Sequence, residues 1–447
     1  MGAPDSPVVR GPEHGAAPKV RAKRRLVTAP AVTCSAVDDR STFIVDKTQR
    51  RSSGPHPGGI DRLSQGDRRA LVPFAADSGG HLTWIVGFAG LVLVSIILWD
   101  AYETILLPRR LPGDIRLSRL VLRTLWLTWR ALSRRFRAAK SRELFLSYFA
   151  QLSLILLLGV WAAGLVTGFA ALQWAIGSHL RAQTGIEGFP ADLYMSGTTF
   201  FTLGLGDVVP MSAPARILIV IEAGLGFGFL AMVISYVPVL YQQFARREAR
   251  ITMLDEWAGS PPAAALILRR AFESRDPNAA LDQLFHDWEQ ASAEILESHL
   301  SYPTLALFRS QHDNQSWLGS MSAVLDACAL TATTVRGIDP FQARLTFAIG
   351  RHTLVDVSQV FRLKPRDGDR SRCSPERFHE MRAWLGSAGV PLLEEPDAYH
   401  RFLELRQLYT PYLEALSEYL AMPLSGWLPR AKEKYNWQST EAATHDQ

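Results

Sequence analysis

Three long apolar stretches between residues 82 and 241 constrain this 447-residue chain more than any other feature. Crossing the hydrocarbon core of a bilayer takes about 20 apolar residues in helical form. Backbone amides there find no water, so each stretch must close its hydrogen bonds on itself. The first runs from Leu82 to Leu107, the second from Leu144 to Ile176 and the third from Ala213 to Tyr241. The pattern predicts an all-α membrane protein with transmembrane helices at 82–107, 144–176 and 213–241.

Between the second and third stretches lies TTFFTLGLGDVVP, residues 198–210. Pro190 suits the first turn of a helix and Asp192 suits its positive end, which predicts a short re-entrant helix over 191–201. Thr202, Leu203, Gly204, Leu205, Gly206 and Asp207 then follow as one run. Glycines at alternate positions let a backbone take conformations that a Cβ resists. In that geometry successive carbonyls point the same way and can replace the water around a dehydrated cation. The negative C-terminal end of the short helix favours positive charge at the same place.

The third stretch carries Gly224, Gly226 and Gly228, which permit close helix approach or a bend, and Pro238, which removes one intrahelical bond near its inner end. Packing alone and a gating hinge are the two readings. Glu222 is a single acid in an apolar helix, and its burial calls for a hydrogen-bond partner behind the glycine run. Asp100 and Glu103 share one face of the first stretch. Carboxylates at that depth face protein, water or a cation. Pairing with Arg109, Arg110 or the following loop is one reading; a part in gating or ion access is the other.

Charge orders the rest of the chain. Residues 108–143 hold eleven Arg or Lys against two acids, interleaved with leucines and tryptophans, as expected of a basic amphipathic segment lying in the membrane interface. A helix of this kind can also be a calmodulin-type target. By the positive-inside rule the segment faces the cytoplasm, which sets the glycine run outside and residues 246–435 inside. The N-terminal 80 residues, with thirteen Arg or Lys and eight acids, would then lie outside, against the same rule; the denser charge at 108–143 is expected to dominate. That N-terminal stretch is rich in Arg, Pro, Gly, Ser and Asp, has no periodicity and lacks the apolar core of a signal peptide, so it is expected to be disordered. Residues 246–435 show helical periodicity and predict a cytoplasmic all-helical domain, with a disordered tail over 436–447.

Several chemistries find no support in the residues. Cys34, Cys328 and Cys373 have no metal-ligand spacing and are expected as reduced thiols. The net charge of +5 comes without a nucleic-acid recognition module. His312, Asp313, Asn314 and Gln315 cluster in SQHDNQSW, a pattern that could form a ligand site but that helix capping and surface hydrogen bonds explain better. His286 with Glu289, and His299 with Glu297, lack a third metal partner. No nucleophile-base pair, phosphate loop or dinucleotide fingerprint is present, so neither an enzyme nor a bound cofactor is expected.

Residues 144–241 resemble the two-helix pore module of potassium channels: outer helix, pore helix, filter and inner helix. The family pattern T-x-T-T-V-G-Y-G-D falls on residues 199–207, with Thr202, Gly204, Gly206 and Asp207 matching, Phe201 in place of a threonine and Leu205 in place of the tyrosine. A leucine there also occurs in second pore loops of animal two-pore channels. The chain as a whole, including WDAYETILLPRR and ESHLSYPTLALFRSQHDNQSWL, is similar to bacterial proteins labelled two-pore-domain potassium channel family, although it has one pore loop. The resemblance implies K⁺ as permeant ion, held by the carbonyls of Thr202, Leu203, Gly204 and Leu205 and the Thr202 hydroxyl, with Asp207 at the outer mouth. One filter segment cannot surround an ion, so a homotetramer in the lipid bilayer is expected. A weakly selective cation channel, suggested by Phe201 and Leu205, and a membrane sensor or scaffold with a vestigial pore are the alternatives.

Overall fold

Thirteen α-helices account for most of the described residues. In chain order they are α1 (Gly80–Ile105), α2 (Leu117–Ser133), α3 (Ala139–Ser147), α4 (Phe149–Ile176), α5 (Phe189–Phe200), α6 (Ala213–Ala258), α7 (Ala264–Phe272), α8 (Pro277–Ser301), α9 (Trp317–Thr333), α10 (Phe341–Val360), α11 (Pro375–Ser387), α12 (Ala398–Gln407) and α13 (Thr410–Leu420). Two short strands, β1 (Leu180–Ala182) and β2 (Val208–Pro210), pair antiparallel, with Arg181 opposite Val209. The computed structural model describes residues 80–105, 116–177, 180–182, 187–312, 314–366, 374–394, 397–424 and 426–429. The N-terminal segment, Arg109, Arg110, Cys34, Cys373, Asp313 and the C-terminal tail lie outside them.

Three helical segments are long and apolar enough to cross a membrane: His81–Ile105, Ala139–Ile176 and Ala213–Ala258. The chain is an all-α membrane protein. Its α1 and α4 cross with their backbones in contact: a Cβ on Gly90 would stand 2.7 Å from the Gly168 carbonyl oxygen. Small residues at such a crossing let dispersion contacts form where lipid leaves little hydrophobic drive. Gly177, left-handed at φ 65°, then ends α4.

Both acids of α1 engage the segment that follows. Asp100 is buried and accepts from the Ser118 amide at 3.0 and 3.2 Å, the Ser118 hydroxyl at 3.0 Å and Trp161 Nε1 at 2.9 Å. A carboxylate at the first turn of α2 satisfies amides that the helix leaves open. Glu103 pairs with Arg116 at 3.1 Å.

Helix α2 packs part of its apolar face on protein. Trp126 is buried, donating from Nε1 to the Tyr419 carbonyl of α13 at 2.9 Å, and Trp129 stacks on Phe145 of α3 at 4.4 Å. Leu120, Leu127 and Leu132 remain exposed.

The third stretch does not stop near Tyr241. Helix α6 runs through Pro238 without a break to Ala258, 46 residues or about 69 Å at ~1.5 Å per residue. Residues 242–258 are mostly good helix formers, so leaving the apolar zone changes the surroundings without ending the helix. Phe244, Ile251, Leu254 and Ala258 bury one face of this extension against the helical domain.

That domain is built around α9, which is buried along nearly its whole length. Ser316 caps it, accepting from the Gly319 amide at 3.0 Å, which gives part of the SQHDNQSW run a capping role. Helix α8 starts with the same device, Asp276 accepting from the Ala279 amide at 3.0 Å. One hydrophobic cluster joins Trp126, Phe149, Leu240 and Phe244 to Trp288, Trp317 and Tyr409, so membrane-proximal and domain residues share a core.

Candidate ion pathway

The site begins with the short helix α5. Pro190 occupies its first turn and Asp192 follows there, buried, both suited to a helix start. At the other end the chain folds back. The Thr202 amide donates to the Thr199 carbonyl at 2.9 Å, and the Leu203 amide to the Thr198 carbonyl at 2.8 Å.

The backbone then alternates. Thr202, Gly204 and Gly206 stand at φ 56°, 55° and 76°, while Leu203 and Leu205 between them are not in that region. Glycine takes it freely, but a β-branched threonine there is an outlier costing about 1–2 kcal/mol. Local strain of this kind persists only where surrounding contacts impose it. All of Phe201 to Gly206 is exposed in the single chain.

Contacts beyond Gly206 hold the end of the run. Tyr194 donates its hydroxyl to Asp207 Oδ2 at 2.8 Å, and the Val208 amide donates to Oδ1 at 3.1 Å. The next residues are β2, fixed by its pairing with β1. Arg216 Nε reaches the Pro210 carbonyl at 3.1 Å, and Gln173 of α4 donates to the Ala215 carbonyl at 3.2 Å.

Behind the run, three helices meet at Ser196. Its hydroxyl lies 2.8 Å from the Val166 carbonyl of α4 and is also hydrogen-bonded to Glu222 of α6, whose side chain is fully buried. One turn further along α6, Gly226 faces the end of α5. A Cβ on Gly226 would stand 2.1 Å from the Phe200 carbonyl oxygen. Gly224 and Gly228 meet nothing within 4 Å. Pro238 lies within the unbroken α6, between the buried Tyr236 and Leu240, well below this contact.

Of the residues picked out by sequence, the structure therefore groups Thr202 to Asp207 with Glu222 and Gly226 around α5. Gly224 and Gly228 are turned to open space, and Pro238 lies about three turns further along α6 than Gly226. Ser196, Tyr194 and Gln173 were not picked out. Tyr194 lies thirteen positions before Asp207, and only the fold-back after α5 brings the two together. Among the described residues no group of three His, Cys, Asp or Glu could hold a metal ion. His286 and Glu289 lie 3.5 Å apart on the solvent-accessible side of α8.

Residues 155–243 match the family model Ion_trans_2, described as ion channel. That range takes in most of α4, all of α5, the glycine run and the apolar part of α6. No curated protein and no solved structure matches the chain. The chain thus carries an ion channel domain within its membrane-spanning part.

Proposed function

We propose that four copies of this chain surround one axis and conduct potassium passively, with residues 202–207 as the filter. The observation that carries this reading is the left-handed backbone at every second residue from Thr202 to Gly206, inside the ion channel domain and directly after α5. Alternation of this kind turns carbonyls to one side, where they take over an ion's hydration shell. In this reading the carbonyls of Thr202, Leu203, Gly204 and Leu205, with the Thr202 hydroxyl, hold K⁺. Asp207 stands at the outer mouth, and the negative end of α5 points toward the ion.

Fourfold assembly has its own support. The filter is open to solvent in one chain, and α6 exposes Ile217, Val220, Phe227, Leu230 and Ile234 along its apolar part. Copies around an axis bring those surfaces together, and closed rings are the usual solution for a self-associating chain. In this reading the positive-inside rule, applied to the arginine-rich segment at 108–143, sets α2 and the helical domain on the cytoplasmic side.

A second reading, a cation channel of weak selectivity, is favoured by Leu205. It has no hydroxyl to brace the filter, and its side chain is exposed. The brace that is present, Tyr194 to Asp207, lies at the outer end of the run.

Purified protein in planar bilayers under a K⁺/Na⁺ gradient tests both. Reversal near the potassium equilibrium potential supports the first reading; reversal at zero favours the second. No current under any stimulus would return the protein to a sensor or scaffold role. Native mass spectrometry should give about four times the 49.6 kDa chain mass; monomers and dimers alone would sink the tetramer.

A further inference from the structure

The turn between α2 and α3 faces the end of α13 across a cleft of about 550 Å³ lined by Arg130, Arg134, Arg137 and Arg142. Its acids, Glu143 and Glu418, are already engaged. Glu143 pairs with Arg309 at 3.0 Å, and Glu418 pairs closely with Arg366 and more loosely with Arg130 at 3.8 Å. The main-chain acceptors at the end of α13 are engaged too: Arg309 donates to the Leu420 carbonyl at 2.7 Å and to the Ala421 carbonyl at 3.1 Å. Among the described residues, Arg134, Arg137 and Arg142 have no acid within salt-bridge distance.

Four guanidinium groups thus converge on one concave space with too few anions of their own. Burial, and then the charges of Arg134 and Arg142, hold the Arg130 guanidinium below its ordinary value, a mark of that crowding. A guanidinium offers paired donors that match phosphate oxygens. The volume falls in the range of small-ligand sites. The cleft also adjoins α3, which leads straight into the membrane-spanning α4.

We infer that this cleft binds a phosphate-bearing anion, which ties the α2–α3 turn to the end of α13. The phosphate can belong to an anionic phospholipid headgroup or to a soluble phosphate ester; the recognition chemistry is the same. The inference concerns residues outside the ion channel domain and is read by binding, so it stands or falls apart from the pore reading.

The test uses the full-length protein in detergent with two probes. Native mass spectrometry follows retention of phosphatidylglycerol against phosphatidylcholine, and calorimetry follows glycerol 3-phosphate. The triple variant Arg134→Gln/Arg137→Gln/Arg142→Gln removes three guanidinium groups that carry no structural pairing. Arg135→Gln is the control: it is exposed, adjacent in sequence and does not line the cleft. Affinity should fall at least about tenfold in the triple variant and stay within about twofold in the control, tenfold being ~1.4 kcal/mol. Retention of phosphatidylglycerol alone assigns the lipid as the source, and binding of glycerol 3-phosphate alone assigns the soluble ester. Binding of neither probe by the native protein, equal retention of the two lipids with no binding of glycerol 3-phosphate, or an equal loss in Arg135→Gln overturns the inference.

Discussion

Arg247 and His299 show how a single buried charge is accommodated where α6 enters the helical domain. Arg247 donates to the Leu305 carbonyl at 2.7 Å and the Phe308 carbonyl at 2.9 Å, and pairs with Glu248 at 3.0 Å. His299 Nδ1 lies 2.8 Å from the Ile295 carbonyl, which assigns the proton to that nitrogen and leaves Nε2 to accept from Arg247 Nη1 at 3.4 Å. Burial first, and then the Arg247 charge, push the imidazole from 6.5 down to about 3, while the Ile295 carbonyl acts the other way. A histidine lowered in this way is neutral when folded and takes up a proton more readily when unfolded. Its contribution is therefore complete above about pH 6.5 and is lost as pH falls toward 3. Thermal unfolding of native protein and His299→Gln across that range measures it. The native protein should be the more stable at neutral pH, with the gap closing on acidification; a gap independent of pH would refute the assignment.

At the scale of elements, the contact between α5 and α6 separates glycines that look alike in the sequence. Gly224, Gly226 and Gly228 all permit close approach, yet only Gly226 is turned toward the Phe200 carbonyl. A methyl group there meets backbone, which cannot swing aside, so Gly226→Ala should destabilise the folded protein by roughly 1–3 kcal/mol or more. Gly224→Ala has open space and should gain a few tenths of a kcal/mol from helix propensity, up to about 1. Denaturation midpoints in one detergent compare the two; equal effects would mean that α6 is rotated relative to the arrangement described. This rotation is the kind of information a sequence withholds. The three membrane-crossing stretches and the short helix before the glycine run were legible, because apolar length, Pro190 and Asp192 act locally. The partners of Glu222 and Asp207 were not, since Ser196 and Tyr194 reach them only through helix crossings and the fold-back after α5. The end of α6 was misread near Tyr241 because hydrophobicity reports the surroundings of a helix, whereas its length follows propensity and the face it buries.

For the molecule as a whole, the shared core decides whether the helical domain is an appendage or part of the fold. Trp126 and Phe149 lie beside the membrane-spanning part, yet they are buried in the same cluster as residues of α8, α9 and α13. The connection is also polar: Trp126 donates to Tyr419, and Arg309 bridges Glu143 of α3 and the end of α13. A domain hung on a flexible linker would show neither feature. Removing α7–α13 would leave Trp126, Phe149, Leu240 and Phe244 uncovered and Arg247 without its carbonyl partners. Exposing a large buried side chain forfeits about 1.5–3 kcal/mol, so four of them lose roughly 6–12 kcal/mol. Against a marginal total of about 5–15 kcal/mol, those losses are enough to unfold the remainder. A chain ending at Ala258 should therefore fail to give a monodisperse assembly in detergent, while the full chain does so under the same conditions. If the shortened chain instead elutes as a stable oligomer and conducts, the helical domain is a detachable regulator and its packing against α2, α3 and α6 is secondary.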